Sequence, residues 1–277
     1  MDQPATWTED PDFVEVYDVE NAGRWDHDFY LDLAEQLGAR RVVDVGCGTG
    51  VLTVDLAARG VQVTGVDPAG AMLDVARARP AAESVTWVHG TAADLPAQTF
   101  DYAVMEGHVA QYFLHRCEWD DALTHTHRAL VPGGYLAFES RNPLSLEWDD
   151  WTEENTRATQ DHPGGGEFTS WIELVSVRDG EHDETLPGQA HPHAAGDLTP
   201  AETTHDDGPL ITHRGHAILP DGRHTIAEET LRFRPLPVLW ESLEAAGFEV
   251  VELWGDWDRS DWDPDSPEII LLARRAA

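Results

Sequence analysis

The stretch RVVDVGCGTGVLTVDLAARGVQVTGVDPAG, residues 41–70, constrains the fold more than any other part of the chain. An apolar run leads into a glycine cluster, then a helical pattern closed by Gly60, then a second apolar run ending on Asp67. A short run that is apolar throughout is a strand buried on both faces, and helices must cover it on either side. The same alternation continues through the helix PAGAMLDVARAR, the strands SVTWVHG and FDYAVMEG, and the helix EWDDALTHTHRALVPGG, which Pro132 and two glycines are expected to end. The strand YLAFES follows. Strand and helix in strict alternation predict an α/β fold with a doubly wound, mostly parallel sheet.

Ahead of this region, residues 12–37 read as a helical arm with Phe29, Leu31, Leu33, Ala34 and Leu37 on its apolar face. Beyond residue 140 the alternation stops. EFTSWIELVSV, LITHRGHAIL and HTIAEETLRF read as three antiparallel strands, and a histidine- and acid-rich stretch near 180–209 reads as a mobile surface loop. The α/β pattern then resumes with VLWESLEAAG, FEVVELW and PEIILLARR. The expected organisation is an N-terminal arm or lid (1–40), a ligand-binding α/β core (41–140 and 235–277) and an inserted antiparallel β cap (141–234).

The glycines Gly46, Gly48 and Gly50 let backbone approach a ligand closely at the carboxyl edge of the sheet, where open α/β folds bind. A dinucleotide fingerprint needs a third glycine at position 51, where valine stands, and a P-loop needs a lysine, which the chain lacks. Asp67, at the end of the second strand, suits a pair of ribose hydroxyls, and Asp44 suits a cationic amine. A nucleoside bearing an ammonium fits these residues better than a pyrophosphate.

On these motifs the chain resembles the class I S-adenosylmethionine-dependent methyltransferases. VVDVGCGTG and VTGVDPAGAML match their first motif and the acidic segment after it, HGTAADLP the adenine-contacting loop, and ALVPGGYLAFES and LEAAGFEVVELW the later strands. The resemblance implies a seven-stranded sheet of order 3-2-1-4-5-7-6 and S-adenosyl-L-methionine as cofactor. It also implies that Asp44, Gly46, Cys47, Gly48 and Gly50 hold the methionine part and Asp67 the ribose, with Pro68 beside it. Met72, Ala93, Asp94 and Leu95 would surround the adenine, and Glu106 would lie on the cofactor side.

The segment MEGHVAQYF after the fourth strand places Glu106 and His108 as base candidates, with Gln111 and Tyr112 as substrate contacts; for His108 the alternative is a structural cap on the following helix. Arg141 could clamp a substrate carboxylate or simply pair with Glu139 or one of the many surface acids. In the arm, Tyr17 is a catalytic candidate and Tyr30 a substrate contact, with aromatic packing as their alternative. Trp171, in the cap, would line the substrate pocket. The expected reaction is methyl transfer to a small molecule, aromatic or amine-containing. The other classes considered are a cofactor-binding regulator and a nicotinamide-dependent oxidoreductase. The His-Pro-His and Thr-His-Thr-His runs do not suit a metal, and none is expected.

Composition narrows the partners. The 277 residues carry a formal charge of −34, and all 18 basic residues are arginine. Such a field repels nucleic acids, whose binding depends on neutralising phosphates. The first residues, MDQPATWTEDPDF, hold neither a basic segment nor an apolar run, no stretch approaches the ~20 apolar residues of a membrane span, and the two cysteines form no framework. A cytoplasmic protein is expected, without nucleic-acid or membrane partners. The cap's edge strands leave backbone groups on which a homodimer could pair. Self-repulsion at this charge is relieved by screening, so the melting temperature should climb as KCl is raised from millimolar to molar in a thermal melt. A flat response contradicts adaptation to high salt.

Overall fold

A computed structural model describes residues 6–23, 25–179 and 207–276. The chain opens with helices α1 (Pro11–Glu20) and α2 (Trp25–Leu37). It continues through β1 (Arg41–Val45), α3 (Val51–Ala58), β2 (Gln62–Asp67), α4 (Gly70–Ala78), β3 (Thr86–His89), β4 (Phe100–Met105), α5 (Arg116–Ala129) and β5 (Leu130–Arg141). A short helix α6 (Glu153–Thr156) leads into β6 (Ala158–Asp161), β7 (Glu167–Arg178), β8 (Leu210–Ile218) and β9 (His224–Arg232). Helix α7 (Leu236–Ala245) and strands β10 (Phe248–Trp254) and β11 (Glu268–Arg275) complete it.

Seven strands form one sheet in the order β10-β11-β5-β4-β1-β2-β3. Numbered within this sheet alone, that is 3-2-1-4-5-7-6. Strand β11 runs antiparallel to both neighbours, and the other pairs are parallel. Successive side chains along each strand enter different cores, because a strand presents them to alternate faces. Val43, Ala103, Phe138 and Leu271 pack on one side with Trp119 and Leu123 of α5 and Leu239 of α7. Val42, Val104, Ala137 and Ile270 pack on the other with Phe29 and Leu33 of α2 and Leu52 of α3.

The structure departs from the sequence reading at three places. The N-terminal arm is two helices, broken after Glu20, where Asn21 caps α1 by donating its N–H and Nδ2 to the Tyr17 carbonyl. Helix α5 ends at Ala129, before Pro132, since Leu130 already pairs with Phe100 of β4. Tyr135 then pairs with Tyr102, so Pro132 and its two glycines sit in an irregularity within β5. The second sheet has four strands, β6-β7-β8-β9, all antiparallel. The fourth is β6, whose sequence ATQD has no apolar alternation to reveal it.

One face of this second sheet turns toward the N-terminal arm. Phe13 of α1 packs with Ala217, Leu219 and Ala227, and Trp7 lies on Gly215 so closely that a Cβ there would stand 1.9 Å from its ring. Arg234, 1% exposed, donates to the carbonyls of Ala110 and Phe113 and pairs with Asp207, tying the exit of β9 to the segment after β4. Residues 180–206, with most of the histidine-rich stretch and its His-Pro-His run, lie outside the described residues. Among the described residues no helix is long and apolar enough to cross a membrane.

Candidate active site

Parallel strands end together at one edge of a sheet, so β1, β2 and β4 deliver Asp44, Asp67 and Glu106 to one place. Gly46, Gly48 and Gly50 all take left-handed conformations, φ 76°, 52° and 77°, which residues with a Cβ rarely adopt. A Cβ on Gly46 would meet Val109 at 2.6 Å and one on Gly50 the Trp87 ring at 2.6 Å, whereas Gly48 has nothing within 4 Å. The loop is thus tightly packed behind and open at Gly48, where a ligand's backbone contacts belong. Asp67 accepts the Gly48 N–H at 2.8 Å and the Ala69 N–H at 2.7 Å, which locks its carboxylate against the loop. Asp44 accepts the Thr53 hydroxyl at 2.6 Å. Burial, reinforced by the neighbouring Glu106 charge, pushes its carboxyl up to about 7. Buried carboxylates beside an open glycine backbone fit a nucleoside that carries an ammonium and a sulfonium.

Helix α1 lies across this loop. Asp18 accepts the Thr49 hydroxyl at 2.6 Å and pairs with Arg79. Tyr17, one residue earlier, is half-buried, and its hydroxyl is raised by desolvation first and then by Glu229, Glu106, Asp67 and Asp18. Tyr17 lines a chamber shared with residues of the second sheet, while the neighbouring Asp18 holds the glycine loop. Glu106 faces His27 of α2: the ring's Nδ1 lies 3.1 Å from Glu106 and its Nε2 3.2 Å from Asp55. Both nitrogens can donate only if the ring is an imidazolium. Glu106 is thus engaged with His27, a contact that pins α2 to the site.

A chamber of about 590 Å³ opens beside the loop, between α1, the segments after β4 and β5, and the second sheet. His108, Tyr112 and Arg141 line it, as do Tyr17 and Trp171. His108 takes a left-handed conformation, φ 59°, makes no side-chain cap bond to the 3-10 turn after it, and presents Nε2 to Glu268 at 2.9 Å. Arg141 pairs with Glu147 at 3.2 Å and donates to Gln111 Oε1 at 3.0 Å, not to Glu139. Trp171 stacks on His216 with ring centroids 4.7 Å apart.

Other expected contacts fall elsewhere. Tyr30 is fully buried among Phe29 and Trp257 and donates to Glu139, so it is core rather than a substrate contact. Gln111 is also fully buried and serves Arg141 from behind. Met72 and Leu95 are buried, at 1% and 3% exposure. Asp94 caps its own turn by accepting the Thr91 N–H at 2.9 Å; the Ala93 carbonyl accepts from Arg128, and the Pro68 carbonyl lies 2.9 Å from His89 Nε2. Cys47 is packed behind the loop near Gly65. Among the described residues no cluster of three or more His, Cys, Asp or Glu is arranged to hold a metal ion.

The chamber also contains groups that the sequence did not single out. Glu229 of β9 and His213 of β8 are directly opposed, and Glu20 and Glu268 also line the wall. The Tyr112 hydroxyl donates to Glu229 at 3.2 Å. Burial raises Glu229 to about 7 and lowers His213 to about 4, with Arg141 adding to the second shift. The only signal in the sequence was Glu229's position between Ala227 and Leu231, two apolar residues of the same strand face.

Asp44 is most acidic in the unfolded chain, near 3.8, and about 7 when folded. A raised carboxyl stabilises below its unfolded value, and that contribution is lost as pH rises through 7. Asp44→Asn should therefore gain on the wild type between pH 4.5 and 7.5 in parallel melts. Each 1 kcal/mol recovered would appear as about 2–4 °C. A constant difference across that range contradicts the shift.

Residues 42–134 match a family model described as a methyltransferase domain. An uncharacterized methyltransferase of Mycobacterium tuberculosis is 43% identical over 109 residues, 38% of this chain and 42% of that protein. The chain thus spans less than half the length of this relative. Two solved structures superpose over most of the chain. An S-adenosylmethionine-dependent methyltransferase from Clostridium acetobutylicum has a TM-score of 0.70 at 15% identity, covering 96% of this chain and 98% of that one. The CcbJ methyltransferase from Streptomyces caelestis has a TM-score of 0.67 at 22% identity, covering 93% and 98%. Residues 42–134 thus match a methyltransferase domain, and the chain has the fold of S-adenosylmethionine-dependent methyltransferases.

Proposed function

We propose that this protein transfers a methyl group from S-adenosylmethionine to a small molecule held in the chamber. The observation that carries this reading is that the chamber is lined by Tyr17, Gly107 and His108, and that their sequence neighbours Asp18 and Glu106 belong to the site, Asp18 through its bond to Thr49 of the glycine loop. In this reading Asp67 holds the ribose hydroxyls, Asp44 and the loop receive the methionine part, and Asp94 with its neighbours lies toward the adenine. Bound there, S-adenosylmethionine supplies an electrophilic methyl on a sulfonium.

Methyl transfer is an in-line displacement, so the protein's main contribution is position. Holding two reactants in line supplies about 7–11 kcal/mol, against about 3–5 kcal/mol for a general base worth 10²–10⁴-fold. Residues of the four-stranded sheet and of α1 form two sides of the chamber in which the acceptor is positioned. Two wall groups can take a proton from a nucleophile: His108, held through Nε2 by Glu268, and Glu229. The excess of carboxylates at the site, within a chain of charge −34, disfavours polyanionic substrates. The protein acts in the cytoplasm, and the edge strands β6 and β9 carry backbone groups on which a homodimer can pair.

The test is incubation with S-adenosylmethionine carrying a deuterated methyl and a pooled metabolite extract, followed by mass spectrometry. A small product heavier by the labelled methyl is expected. Asp67→Ala should weaken cofactor binding by about 1–3 kcal/mol in calorimetry, since it removes hydrogen bonds to a charged acceptor. No labelled product, or unchanged affinity in the variant, contradicts the assignment.

A further inference from the structure

The chamber wall is charged in one direction. Glu20, Asp26, Glu147, Glu229 and Glu268 face it, against the single guanidinium of Arg141. Arg141 is already engaged by Glu147 and Gln111 and lies 5.9 Å from the Trp151 ring centre, so it answers only one of the five. His213 cannot answer another, because burial and Arg141 hold its ring neutral at ordinary pH. A cluster of acids could be no more than a solvated surface. Two groups of this one are buried and incompletely bonded: Glu268 and His213 are each more than nine-tenths buried, and although His108 Nε2 lies 2.9 Å from Glu268 Oε1, Glu268 Oε2 and His213 Nδ1 have no hydrogen-bond partner among the described residues. A buried carboxylate oxygen left without a donor is destabilising, and a ligand that brings N–H donors removes that penalty.

Position selects one acid among them. Glu229 accepts only the Tyr112 hydroxyl among the described hydrogen bonds, so most of its acceptor capacity is open. It opposes His213 across the β8–β9 ladder on the face turned into the chamber. Glu229 and Tyr17 line the same chamber, and Asp18, the residue after Tyr17, accepts the hydroxyl of Thr49 in the glycine loop. A cation seated on Glu229 would have aromatic faces beside it, since Tyr17, Tyr112 and Trp151 line the same wall.

We infer that the methyl acceptor is a small primary or secondary amine, that Glu229 seats its ammonium in the chamber, and that Glu229 takes the proton that frees the nitrogen lone pair. The inference rests on the transferase reading above. The step balances without a further reagent. The ammonium N–H proton moves to the Glu229 carboxylate, leaving a neutral amine. The nitrogen lone pair forms the N–CH₃ bond as the S–CH₃ bond breaks, and that electron pair stays on sulfur as a neutral thioether. The product is a methylated ammonium, and Glu229 returns its proton to solvent when the chamber opens. A carboxyl raised to about 7 is matched to this task, because it can both accept the proton and release it near neutral pH.

The experiment uses the full chain, deuterated-methyl S-adenosylmethionine and one metabolite pool in two portions, one untreated and one exhaustively N-acetylated to block primary and secondary amines. Label should enter a product in the untreated portion and vanish in the acetylated one. Glu229→Gln, which preserves size, should lower that rate by at least about 100-fold while cofactor affinity stays within twofold and the melting temperature does not fall. Label that survives acetylation overturns the amine assignment but leaves the transferase standing, as does a Glu229→Gln variant of unchanged rate for the role of Glu229. No label in either portion, with cofactor bound, overturns both readings.

Discussion

The site depends on one buried carboxyl group. Glu139, on β5, is fully buried and raised by that burial to about 7. It accepts the Tyr30 hydroxyl from α2 and the His108 N–H at 2.5 Å from the segment after β4. Three elements distant in sequence therefore meet on one side chain. The second of these bonds holds His108 in its left-handed conformation, which a histidine would not adopt unaided at no cost. That conformation in turn sends the ring toward Glu268 and the chamber. Without Glu139, the helix that covers the sheet and the residue that begins the chamber wall would lose their common anchor.

The same economy of contacts shapes the rest of the site. His27 joins α2 to Glu106 and Asp55, Asp18 joins α1 to the glycine loop through Thr49 and Arg79, and Arg234 joins the second sheet to the segment after β4. Each tie runs through a charged group with few alternatives, because burying an unpaired charge is far more costly than burying a paired one. In a chain with so many acids, the scarce cations are placed at joints. Arg141 illustrates the point: it could have clamped a ligand carboxylate, but it is spent on Glu147 and Gln111. What remains at the chamber surface is predominantly negative.

Much of the cofactor side was legible because its chemistry is local. A buried strand, a run of glycines and an acid at the next strand's end are contiguous in sequence and need only the parallel sheet to bring them together. The substrate side was harder. Tyr30 and Gln111 sit at spacings that suit a pocket, yet Tyr30 packs in the core against Trp257 and Gln111 lies beneath Arg141. Glu229 and Glu268 looked like ordinary acids among the chain's 52, and β6 gave no alternation at all. Which face of an antiparallel strand points inward is settled by its register with partners far away in sequence, and a shift of one residue would have turned Glu229 outward.

By itself the sequence determined the parallel core and the glycine loop at its carboxyl edge. Those follow from apolar runs, glycine conformations and strand-end acids, all of which act over a few residues. Only the tertiary structure decided which acids line the chamber, which arginine was already paired, and that His108 rests on Glu268 while Glu139 holds its backbone. These contacts join residues as much as 160 positions apart, and no local preference encodes them. They arise when the arm, the main sheet and the four-stranded sheet close on one another and each buried charge must find a partner.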